Sequence, residues 1–147
     1  MTAKIFRSFA PELRRQRETR VAPATQMLYR PAMTTLIYKI APLALWREAE
    51  ARGTFAGAPV DLADGFIHFS TAGQVRETAA KHFAGQDGLV LVAVAAERLG
   101  EALKWEGSRG GALFPHLYAA LDPAAAAWVN ELPLGADGSH VFPEECA

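Results

Sequence analysis

The run Leu89-Val90-Leu91-Val92-Ala93-Val94-Ala95 constrains this chain more than any other feature. It carries no polar residue, so it does not alternate as a half-solvated strand does, and it reads as a central strand buried on both sides. Extended through Ala96 it is still far short of the ~20 apolar residues that cross a bilayer, and no other stretch is longer. A transmembrane protein is therefore excluded, and the chain must build layers around that strand.

The flanking segments supply candidates for those layers. Thr35-Leu36-Ile37-Tyr38-Lys39-Ile40 is β-branched and aromatic and predicts a strand, and Pro42 then suits a helix first turn. Leu43, Trp46, Ala49 and Glu50 follow at helical spacing up to a stop at Gly53. Residues 54–64, with Gly57, Pro59 and two aspartates, predict a loop, and 65–70 (Gly-Phe-Ile-His-Phe-Ser) a second strand. Thr71 with Gln74 three residues on suggests a capping box for a helix through Val75, Thr78, Ala79 and Phe83, closed by Gly85. After a short helical turn at 97–100, strands are expected at 102–106 and 113–118, separated by a glycine-rich loop. Pro115 argues for an edge or a bulge in the latter. An alanine run after Asp122-Pro123 can start a helix, but Trp128-Val129 and the Asp137-Gly138 turn favour closing strands. Two early helices followed by strands predict an α+β fold with mixed, mainly antiparallel sheets.

With 147 residues, half of them apolar, one core is expected. The single cysteine, Cys146, forms neither an internal disulfide nor a thiolate metal site, suits a reducing cytoplasm, and near a fraying terminus is a poor nucleophile. Charge divides the chain. Residues 1–32 hold seven basic and two acidic residues, net +5, whereas the rest holds eight basic and fourteen acidic, net −6. The first 32 residues lack an apolar period and predict a basic, disordered extension before one globular domain over 33–147. An inert leader upstream of a natural start at Met33, a functional basic tail and a targeting segment all fit that composition. The acidic body argues against nucleic acid as a partner.

Polar residues inside apolar strands are the candidates for chemistry. A period of two puts Phe66, His68 and Ser70 on one strand face. His68 is then either a hydrogen-bonded core histidine or a residue facing a ligand, and Ser70-Thr71 either caps the next helix or joins that site. Glu106, next to Trp105 at a strand end, suits acid/base work if desolvated against the indole, or stabilisation of a developing cation if ionised. His116 and Tyr118 share a face, and if the two strands are close His68, Glu106, His116 and Tyr118 line one pocket. No metal site is expected, since His68, His82 and His116 lack ligand spacing.

Five segments carry a family likeness: Ile37-Tyr38-Lys39-Ile40, Trp46, the block Asp64 to Val75, Leu103 to Glu106, and Phe114 to Tyr118. Together, over about residues 33–143, they resemble the family catalogued as domain of unknown function 952, whose fold is similar to that of the ADP-ribosyltransferases. That resemblance implies a cleft for NAD or a related nucleotide, with transfer or hydrolysis of the ADP-ribosyl group. Glu106 then stabilises a ribosyl cation, His68, Ser70 and Thr71 position ribose or phosphate, Lys39 meets the diphosphate, and His116 and Tyr118 complete the ligand site. Lys39 stands where the transferases have Arg or His, and Ala72 ends their Ser-Thr-Ser block. A noncatalytic small-ligand module and a hydrolase using His68 or His116 as base account for the same residues.

Overall fold

The computed structural model describes residues 34–146. The predicted extension over 1–32 lies outside them. Strand β1 (Leu36–Pro42) leads directly into helix α1 (Leu43–Arg52). Pro42 sets the extended N-cap, and Gly53 ends the helix at φ 84°, a left-handed turn that its missing Cβ makes inexpensive. Trp46 and Ala49, one turn apart, are the buried face of α1.

Residues 54–64 are not all loop. Helix α2 (Pro59–Asp64) forms there, begun by Pro59 at its first turn and capped by Asp61, whose Oδ2 accepts the Ala58 N–H at 2.8 Å. Its apolar residues Val60 and Leu62 face solvent, so no hydrophobic period reveals it in the sequence. The expected strand at 65–70 is likewise divided, into β2 (Ile67–His68) and β3 (Ser70–Thr71), which belong to different sheets. Helix α3 (Val75–His82) follows with Gln74, not Thr71, at its N-cap, so the expected box does not cap it; the Thr71 N–H donates to Gln74 Oε1 at 3.0 Å in the turn before the helix.

Strand β4 (Leu89–Ala95) is central, in a four-stranded sheet of order β3-β1-β4-β7, with β7 spanning Ala126–Leu132. Its even residues Val90, Val92 and Val94 pack with Ile37, Trp46, Phe55, Ile67 and Phe69, and its odd residues Leu89, Leu91 and Ala93 with Tyr38, Val75, Ala79 and Cys146. Apolar layers on both faces are why the run shows no alternation. The second sheet has the order β2-β6-β5, with β5 spanning Leu103–Gly107 and β6 spanning Leu113–Leu117, and every strand pair in both sheets is antiparallel. Pro115 thus lies in a middle strand rather than at an edge. The β2–β6 register, His68 opposite His116, brings Phe69 opposite Pro115, whose carbonyl accepts the Phe69 N–H at 3.0 Å. Proline returns no N–H, so the ladder stops there and the chain crosses to the other sheet. The closing turn is present as a bridge between Leu134 and His140. Cys146 is not in a frayed segment, because it is fully buried in the second apolar layer.

Candidate functional site

Alternation on the three-stranded sheet places the chemistry. Ile67, Leu117 and Leu103 turn into the apolar core, so His68, His116 and Glu106 stand on the opposite face of β2, β6 and β5. At the centre is the Phe66 ring, whose centroid lies 4.2 Å from that of His116, 4.6 Å from His68 and 5.1 Å from Tyr118. The two imidazoles are 5.5 Å apart. His116 Nδ1 lies 2.7 Å from Glu106 Oε1, and Tyr118 Oη donates to the same oxygen at 2.8 Å. These hydrogen bonds from His116 and Tyr118 hold the Glu106 carboxyl below the usual range. The same bond pushes the Tyr118 hydroxyl up. Trp105 alternates to the other face, so Glu106 is ionised by its donors rather than desolvated by the indole.

His68 is held from two sides. Its Nδ1 is 2.6 Å from Asp61 Oδ1 and its Nε2 3.0 Å from Asp64 Oδ2. Asp61, 1% exposed, also receives the His68 backbone N–H at 3.1 Å and the Lys39 ammonium at 2.8 and 3.0 Å. Burial alone would raise the Asp61 pKa, but the His68 hydrogen bond, the Lys39 charge and the Ala58 N–H outweigh it and bring it to about 2. Burial pulls the Lys39 ammonium down, against the pull of Asp61.

Asp61 therefore makes stability depend on pH. Its folded pKa lies below its ordinary 3.8, so its contribution is complete above pH ~4 and is lost as pH falls toward 2. The expected loss is about 2 kcal/mol over that window. Denaturant unfolding of wild type and Asp61→Asn from pH 5 to pH 2 should show the variant's acid limb flatter by that amount, and parallel limbs would remove Asp61 from the acid response.

The family model described as "Protein of unknown function (DUF952)" matches residues 40–129. The chain belongs to the DUF952 family. That span contains Asp61, Asp64, Phe66, His68, Glu106, His116 and Tyr118. The crystal structure of protein CC0527 from Caulobacter crescentus is similar, with 55% identity and a TM-score of 0.73, covering 76% of this chain and 98% of that one. Its solution structure gives 59% identity and a TM-score of 0.65 over 71% and 90%. Among curated proteins no match is found.

Within this DUF952 domain, four sequence candidates, His68, Glu106, His116 and Tyr118, gather around Phe66. Three others do not. Lys39 is buried in its ion pair with Asp61, out of reach of a diphosphate. Ser70 is buried on β3, where its hydroxyl is 3.0 Å from that of Thr78. Thr71 faces β1 across the ladder and begins the turn into α3. Sequence reasoning missed Asp61 and Asp64, which lie in the segment read as loop. The Asp-x-x-Asp spacing places them one helical turn apart, but only the helix makes that spacing meaningful. No group of three or more His, Cys, Asp or Glu able to hold a metal occurs among the described residues. None of the described helices is long and apolar enough to cross a membrane.

Proposed function

We propose that the DUF952 domain binds a nucleoside-type ligand over the Phe66 and Tyr118 rings and cleaves its N-ribosyl bond, with NAD as the first candidate substrate. One observation carries this reading. Glu106 is an ionised carboxylate at an aromatic surface, its Oε1 fixed by His116 and Tyr118, its Oε2 without a partner among the described residues. Breaking an N-ribosyl bond develops positive charge on the sugar, and a preoriented anion stabilises that charge more than it stabilises the substrate. The two antiparallel sheets are consistent with the ADP-ribosyltransferase likeness suggested by the sequence. With Lys39 and Ser70 committed elsewhere, a cation on the same face as Glu106 is Lys104, which lowers the Glu106 pKa in turn.

The test is titration with NAD, ADP-ribose and ATP, followed by tyrosine and histidine NMR signals and by assay of free nicotinamide. Nicotinamide release with shifts at Tyr118 and His116 supports the reading. Binding without release makes the domain a ligand-binding module, and no binding of any of the three removes the nucleotide. A hydrolase reading that dispenses with NAD has one observation in its favour, the His116–Glu106 pair itself.

A further inference from the structure

The site holds two histidines, each against a carboxylate, and their hydrogen bonds differ in a way that separates their roles. His68 has both ring nitrogens against carboxylates, Nδ1 hydrogen-bonded to Asp61 and Nε2 in an ion-pair contact with Asp64 Oδ2 at 3.0 Å. Asp61 is itself anchored by Lys39 and by the Ala58 N–H, so the ring is clamped from its buried side. While both contacts last, neither ring nitrogen of His68 is turned to a ligand. His116 is bound at one nitrogen. Glu106 is ionised and therefore accepts only, so the Nδ1 that faces it carries the hydrogen and the neutral ring presents its lone pair at Nε2. No described residue pairs with that Nε2, and no buried side-chain nitrogen or oxygen of the described residues is left without a partner, so Nε2 meets solvent. Stacking by Phe66, interplanar angle 28°, fixes the ring plane.

We infer that His116 Nε2 is the proton-accepting atom of this site, oriented by Glu106, and that His68 is a positioning residue that holds Phe66 and, through it, the His116 ring. The inference deepens the N-ribosyl reading and rests on it for the substrate. In the step it implies for NAD, the C1′–N bond breaks and its electron pair passes to the ring nitrogen, which leaves as neutral nicotinamide. A water oxygen forms the new C1′–O bond, and the proton it loses passes to His116 Nε2. Glu106 then serves twice, through Oε1 as the orienter of the base and through Oε2 as the anion facing the sugar.

Three measurements test this. In wild type, long-range proton–nitrogen NMR of the imidazoles should show His116 as the tautomer protonated at Nδ1 and bare at Nε2; the reverse tautomer overturns the inference whatever the substrate. With NAD, His116→Ala should lose about 10²-fold or more in nicotinamide release. Added imidazole should restore part of that loss, and NAD affinity should move far less. His68→Ala should not be rescued by imidazole, because its defect is misplacement of Phe66 rather than absence of a base. If wild type releases nicotinamide and His116→Ala does so at an undiminished rate, or if imidazole rescues His68→Ala instead, the assignment falls while the N-ribosyl reading survives. If wild type releases no nicotinamide, that reading falls and the tautomer alone decides the assignment.

Discussion

Replacing Lys39 with methionine is expected to lower the free energy of unfolding by about 3–5 kcal/mol, because removing one partner leaves a buried charge without its counter-charge. The Lys39 side chain is 5% exposed and that of Asp61 1%, so water screens the pair little. Methionine keeps the length of the aliphatic stem and removes only the ammonium. Asp61 would then be held by His68 and the Ala58 N–H alone, and burial, already the largest single influence on its pKa, would push that pKa back up. Proton uptake by Asp61 on acidification would then recover part of the cost and move the stability maximum toward acid. Chemical denaturation at several pH values checks both effects. A loss under ~1 kcal/mol would mean that the pair is solvated, and would return Lys39 to the list of side chains able to meet a ligand.

Lys39 also shows where the sequence was informative and where it stopped. On β1 the period of two puts it on the face of Ile37 and Ala41, but apolar residues on both faces of that strand did not tell a core lysine from one facing a ligand, and the sequence reading set it against a diphosphate. Its partner was not legible either, because Asp61 lies 22 residues away on a helix whose apolar residues face solvent. The buried β4, α1 with its glycine stop, and the shared face of His116 and Tyr118 are local consequences of spacing, and they are present as expected. The division of 65–70 is not local. It follows from Pro115, 46 residues beyond Phe69 in sequence, which withholds the hydrogen bond that would have continued the ladder. That crossing is what separates Ser70 from His68. Side-chain alternation predicts a shared face only while the strand stays in one sheet, and here it leaves after two residues.

Glu106→Gln should lower nicotinamide release by about 10²-fold or more while the fold and NAD affinity change little. Glutamine keeps the volume of glutamate and one acceptor oxygen, so His116 Nδ1–H and Tyr118 Oη–H retain a partner and the strand pairing of β5 with β6 is untouched. The negative charge is what disappears. Ground-state binding draws on the Phe66 and Tyr118 rings and is largely preserved, whereas the ribosyl cation exists only near the transition state, so the loss falls on kcat rather than KM. Glu106→Asp provides the complementary test, since it keeps the charge and withdraws it by one methylene, and an intermediate rate is expected. A wild-type rate in Glu106→Gln would show that no charge is needed at this position and would leave the His116–Glu106 contact as an orienting hydrogen bond alone. A rate restored in Glu106→Gln by raising pH would point the same way, because a carboxamide that still orients His116 leaves the base in place and only the proton balance altered.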